Sequence, residues 1–101
     1  MTPALASEEV DAFLAGAGAW SRVQDRLVRE FRFASFADAI RFMQAAAITI
    51  NRLDHHPEWT NVYDRVSVRL TTHDAGDRIT AKDLDLARLL DRTAAGFTVR
   101  P

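Results

Sequence analysis

Hydrophobic and polar positions follow two different rhythms along this chain, and the switches between them predict its elements. Val10, Phe13 and Leu14 recur at helical spacing. Ser7 before them is placed to act as an N-cap, and Glu8 and Glu9 stand where the positive end of a helix favours carboxylates. Gly16 and Gly18 are expected to end this helix. Residues 19–34 change period. Arg29, Phe31 and Phe33 alternate with Val28, Glu30 and Arg32, the pattern of two short strands around a turn near Gln24 to Arg26. Ser35 then opens a long helix in which Phe36, Ile40, Met43, Ala47 and Ile50 form an apolar stripe. This helix should reach about Leu53, because Pro57 lacks an amide proton and pushes the residue before it out of the helical region.

The second half repeats the change of period. Val66, Val68 and Leu70 alternate with Arg65, Ser67 and Arg69, a strand with one buried and one wet face. Asn61 to Asp64 are assigned to a short strand before it. HDAGDR, which begins at His73, reads as a polar loop. Thr80 opens the last helix, with Asp83 three residues on in a variant of the capping box. Leu86, Ala87, Leu90 and Ala94 give that helix its apolar face, and Gly96 is expected to end it. The order, helix, two strands, long helix, one or two strands, helix, predicts an α+β fold: a two-layer domain with an antiparallel sheet and helices covering one face, β-β-α-β-β-α after the N-terminal helix if Asn61 to Asp64 form their own strand. Arg29, Ser67 and Arg69 are read as polar decoration of the uncovered sheet face.

Composition narrows the function classes. At 101 residues the chain reads as a single domain, 1–101. A formal net charge of -1 argues against direct nucleic-acid binding driven by bulk charge. The chain contains no cysteine, which excludes disulfides, thiolate metal sites and cysteine nucleophiles. MTPALASEEV lacks the basic and apolar regions of a secretory signal, and no apolar run is long enough to span a membrane, so a cytoplasmic location is expected.

The candidate chemistry centres on DHHPEW, residues 54–59, which carries two of the three histidines. Histidine exchanges protons near neutrality, and His55 and His56 fall just past a helix end, on a loop. Residue type alone supports a catalytic pair and a solvated helix-end pair equally. His73, at the end of a later strand, can meet them at one edge of a sheet. A zinc site is disfavoured, because adjacent histidines are poor ligand spacing and no HExxH occurs. Trp59 and Tyr63 can stack on a flat ligand or fill a core; Trp20 reads as core. No glycine-rich phosphate loop and no GxSxG is present.

Spacing then adds specificity. From His55, His56 and Pro57, five residues lead to Tyr63, nine more to His73 and nine more to Asp83. DHHPEW, NVYDRVSVRLTTH and TAKDLDLA together resemble the pterin-4a-carbinolamine dehydratase family, and the likeness extends over nearly the whole chain, including REFRFASFADAIRFM. Two features depart from that family: Asn51 stands where it often has Glu, and the loop HDAGDRIT is one residue longer than its common form.

The resemblance implies an enzyme that removes water from a 4a-hydroxytetrahydropterin to give quinonoid dihydropterin, in tetrahydropterin recycling, with neither metal nor cofactor. It implies His55 as general acid, His73 as base or polar contact, and His56 as a binding and positioning residue. Pro57 and Trp59 would shape the wall, Asn51 would occupy the position of the family acid, and Asp83 would support His73. It also implies a homodimer or homotetramer and a four-stranded antiparallel sheet covered by helices, in agreement with the periodicities. The rival reading is a non-catalytic scaffold or transcriptional cofactor on the same fold.

Overall fold

A computed structural model describes residues 2–97. The elements run α1 (Ser7–Gly16), β1 (Ser21–Val23), β2 (Arg26–Arg32), α2 (Phe36–Leu53), β3 (Glu58–Val62), β4 (Arg65–Leu70) and α3 (Ala81–Ala94). A 3-10 turn, His73–Ala75, lies between β4 and α3. The strands form one antiparallel sheet in the order β1-β2-β4-β3. This is the α+β architecture expected from the two periodicities.

Turn chemistry sets the register. Gln24 and Asp25 both take positive φ, at 50° and 58°, which gives a two-residue hairpin loop the twist that its strands need. Asn61 closes the β3–β4 hairpin by donating from Nδ2 to the carbonyls of Tyr63 and Arg65. Strand β3 therefore begins at Glu58, and Tyr63 and Asp64, expected in the strand, form its turn instead.

The core lies between the sheet and the helices. Leu27, Phe31, Val66, Val68 and Leu70 project from the central strands against Phe42 of α2 and Leu86 and Leu90 of α3, all at most 1% exposed. The Phe42 ring sits 5.0 Å from Phe31 and 4.9 Å from Phe33. Burial of this kind supplies most of the stability of such a domain.

Three local expectations need correction. Ser7 does not cap α1; Ala6 holds the cap position and makes no side-chain cap bond. The buried stripe of α2 is Ala39, Phe42, Ala46 and Ile50, whereas Phe36 and Ala47 are exposed. At about 100° per residue the two stripes are neighbours on one helix, and the sheet takes the one that carries Phe42. Arg29 does not decorate the open sheet face. It turns toward the helices, stacks on Phe31 with 4.0 Å to the ring centre, and bonds Asp91 of α3, which also accepts from the Trp20 indole. Pairing with an aromatic face and a carboxylate lets a guanidinium occupy a largely buried place.

No helix among the described residues is long and apolar enough to cross a membrane.

Candidate active site

Helix α2 ends by a device that turns its last residues outward. Asp54 at the C-cap adopts φ 52°, ψ 38°, a left-handed conformation that aspartate tolerates better than most residues. The chain leaves the helix axis there, carries His55 and His56 past Pro57, and enters β3 at Glu58. A second device presents His73. Thr72 and Arg78 pair across the loop, with the Thr72 amide donating to the Arg78 carbonyl at 3.0 Å. Gly76 and Asp77 make the tight return at φ 77° and 58°. His73 therefore stands on a closed loop just beyond β4.

These devices bring the three histidines to one cleft of about 510 Å³, with Pro57, Thr72 and Lys82, the chain's one lysine, also on its wall. Within it the histidines differ. His55 is mostly buried, and its Nε2 lies 2.6 Å from Oδ1 of Asp83. Asp83 is fully buried, and its Oδ2 accepts from the Thr80 amide at 2.9 Å and the Thr72 hydroxyl at 2.8 Å. An ionised carboxylate has only acceptors, so Nε2 of His55 carries the proton and Nδ1 is the free nitrogen. No buried side-chain nitrogen or oxygen among the described residues is unpartnered, and Nδ1 has no protein partner, so Nδ1 reaches solvent. His73 is held the opposite way. Its Nδ1 lies 2.6 Å from Oδ1 of Asp77, on a side chain that is 76% exposed. His56 is exposed and makes no side-chain hydrogen bond.

Asp83 thus holds His55, not His73 as expected, because the loop closure turns His73 onto Asp77. The capping box at Thr80 forms as predicted, so one carboxylate both caps α3 and anchors a histidine.

Asn51 and Trp59 line a separate groove of about 650 Å³ together with His56 and Pro57. His56 and Pro57 border both spaces, while His55 and His73 face only the first of them. Tyr63 is outside both. It is 69% exposed at the β3–β4 turn, at the far end of β3 from the histidines, about 13 Å of strand beyond Trp59. Among the described residues no three His, Asp or Glu side chains converge in metal-ligand geometry.

Thr72 and Asp77 were not singled out in the sequence. Asp77 offered no signal, but Thr72 did. It continues the inward alternation of Val66, Val68 and Leu70, so its hydroxyl enters the core and has to find a partner there.

Comparison with known proteins now bears on this geometry. The family model for pterin 4 alpha carbinolamine dehydratase matches residues 3–93. The chain belongs to the pterin-4a-carbinolamine dehydratase family. A Solibacter usitatus protein provisionally named pterin-4-alpha-carbinolamine dehydratase is 49% identical over 96 residues, covering 95% of this chain and 100% of the relative. A Novosphingobium aromaticivorans protein with the same provisional name is 49% identical and covers 86% of this chain and 92% of its own. A crystal structure described as a transcriptional coactivator/pterin dehydratase from Brucella melitensis superposes with a TM-score of 0.85 at 36% identity, covering 90% of this chain and 98% of that one. Membership of the family supports a dehydratase, a lyase, as the class of this protein.

Proposed function

We propose that this single-domain protein dehydrates a 4a-hydroxytetrahydropterin to the quinonoid dihydropterin, by histidine general acid and base catalysis, as a step in tetrahydropterin recycling. The observation that carries the reading is the pair of anchored imidazoles on one cleft. His55 is fixed at Nε2 by Asp83, and His73 is fixed at Nδ1 by Asp77, so each keeps one nitrogen for substrate.

The reaction needs one proton delivered and one removed. His55 in its imidazolium form donates from Nδ1 to the 4a-hydroxyl, the C4a–O bond breaks, and water leaves. His73 takes the N5 proton at Nε2 as the electron pair of that N–H bond closes the N5=C4a double bond. Buried Asp83 offsets the positive charge of the imidazolium at His55. His56 and Pro57, on the ridge between the two spaces, bind and orient the bicyclic ring. Asn51 and Trp59 contact substrate only where it extends over that ridge into the neighbouring groove.

The test is stopped-flow dehydration of chemically made 4a-hydroxytetrahydropterin. A positioned acid or base contributes roughly 10²- to 10⁴-fold, so His55→Ala and His73→Ala should each lower turnover by that order while the circular dichroism spectrum stays unchanged. Full turnover in both variants would remove the assignment.

The coactivator description of the Brucella melitensis structure favours a second reading, a non-catalytic binding or transcriptional-cofactor protein on the same fold. A wild-type rate no faster than buffer selects it. The proposal further takes the protein as cytoplasmic and as a homodimer or homotetramer. Exposed Phe36 and Ile48 on α2, 49% and 61% accessible, support association. Light scattering that finds only monomer at assay concentrations counts against it.

A further inference from the structure

We infer that Thr72 is a positioning residue for His55: its hydroxyl fixes the Asp83 carboxylate so that Oδ1 takes the Nε2 proton and Nδ1 is left to the cleft. The kinetic side of this inference rests on the dehydratase reading above; the geometric side stands without it.

The hydrogen bonds have only one consistent direction. Thr72 has a single hydroxyl proton, and Oδ2 of Asp83, 2.8 Å away, can only accept it. The Thr72 and Thr80 hydroxyl oxygens are 2.7 Å apart, so Thr80 must be the donor between them. The Thr80 oxygen in turn accepts the Lys82 amide at 3.2 Å. The chain of donors runs from the Lys82 amide through Thr80 and Thr72 to Asp83, and the carboxylate then receives His55 on its other oxygen at 2.6 Å. Thr72, Thr80 and Asp83 are all at most 2% exposed, so water does not compete for these bonds.

The cap of α3 does not require Thr72. The Thr80 amide reaches Asp83 and the Lys82 amide reaches Thr80 without it. Strand packing does not require the hydroxyl either, because Thr72 continues the inward alternation of Val66, Val68 and Leu70, which pack without one. What the hydroxyl adds is a second donor at Oδ2. With both donors in place the carboxylate cannot rotate, and Oδ1 faces His55 alone. Without Thr72 the Thr80 hydroxyl loses its acceptor and competes for Asp83, and the His55 ring is held less firmly.

Thr72→Val removes the hydroxyl at nearly constant volume, and Thr72→Ser restores it. The variants are read by ¹⁵N NMR of the His55 imidazole and by stopped-flow dehydration. Wild type and Thr72→Ser should show the Nε2–H tautomer, and Thr72→Val should show a mixture of tautomers. Its kcat should fall roughly 10- to 100-fold, the size expected for a lost hydrogen bond to a charged group, with KM within about twofold and recovery in Thr72→Ser. A Thr72→Val protein with a wild-type tautomer and wild-type kcat overturns the inference. Should Thr72→Val not fold, the wild-type protein decides. A Thr72 hydroxyl proton that exchanges slowly with water supports the donated bond, and one in fast exchange refutes it. If wild type fails to dehydrate the pterin at all, the reaction assignment falls while the tautomer experiment still judges Thr72.

Discussion

Replacing Asp83 tests the site and the fold at one atom pair, and two substitutions separate them. Asp83→Asn keeps the shape of the side chain. Two donors, the Thr80 amide and the Thr72 hydroxyl, converge on Oδ2, so the amide oxygen takes that place and the NH₂ group turns toward His55. It then donates to Nε2, and the imidazole proton is displaced to Nδ1. His55 presents the wrong tautomer to the cleft, and the carboxylate that balanced its charged form is gone. Turnover should fall by roughly 10²- to 10⁴-fold, the range for a misplaced acid or base. The cost in stability should be small, about 1–2 kcal/mol, because every buried group still has a partner.

Asp83→Ala acts differently. It strands the Thr80 amide, the Thr72 hydroxyl and the His55 Nε2–H, of which the first two have no route to water. Each unsatisfied buried group costs about 1–3 kcal/mol, so the two together should cost the fold roughly 2–6 kcal/mol. A domain of this size has about 5–15 kcal/mol in all, and the melting temperature should drop by about 8 °C or more. Urea melts with fitted m-values, together with ¹⁵N imidazole spectra and stopped-flow dehydration, distinguish the two variants. The reasoning is refuted if Asp83→Asn turns over like wild type, or if Asp83→Ala melts within about 4 °C of it.

Phe42→Ala empties the centre of the aromatic cluster against Phe31 and Phe33 and should cost about 3–5 kcal/mol in a urea melt, with an unchanged m-value. A cost near that of an exposed substitution would show that the core does not depend on α2. For Asp25, the hydrogen bond from Arg22 holds the carboxyl below its ordinary value; Arg22 and Arg78 charges add to this against a desolvation effect. A carboxyl lowered in the folded state adds stability above its unfolded pKa and loses it as pH falls through the folded value. Asp25→Asn should therefore be less stable than wild type at neutral pH, with the gap closing in the acid range and narrowing in high salt. Melts from pH 7 down to about pH 2 read this, and a gap that widens on acidification contradicts it.

The elements were legible because each has a period and an end signal. Ser35 caps α2 by accepting the Asp38 amide at 3.1 Å, and Thr80 with Asp83 boxes α3, both as their residue types indicate. The face of α2 was less legible. Phe36, Ile40, Met43, Ala47 and Ile50 are a genuine apolar stripe, of which Ile50 is buried and Met43 packs against the core, yet the rest of the buried face, Ala39, Phe42 and Ala46, lies on the adjacent stripe. Periodicity gives an angle around one helix, not the partner that selects among neighbouring angles. The clustering of His55, His56 and His73 was implied by the family resemblance, and the order of elements showed only that they could meet at one sheet edge; their carboxylate partners were legible in neither. Asp83 and Asp77 were assigned by a loop whose closure depends on consecutive left-handed residues, Gly76 and Asp77, and no pattern of hydrophobic positions encodes that. Asn51 and Trp59 line the neighbouring groove, which shares only His56 and Pro57 with the histidine cleft, and no spacing in the sequence separates the two spaces.

The two anchored histidines carry different weight in the choice between an enzyme and a scaffold. Asp83 has a structural duty whatever His55 does, since it completes the cap of a helix that supplies Leu86 and Leu90 to the core. A scaffold protein would keep it for that reason alone. His73 and Asp77 have no such duty. Their side chains are 76% and 56% exposed, and a pair in that setting adds about 0–1 kcal/mol at most. Nor does the loop depend on the imidazole, because Thr72 and Arg78 close it through the backbone. An exposed imidazole oriented by a carboxylate, beside a second one oriented from the core, is difficult to account for by folding. The exposed histidine, not the buried carboxylate, is thus where the enzyme and scaffold readings part most sharply. Loss of turnover in His73→Ala with no change in melting is the outcome that a scaffold cannot produce.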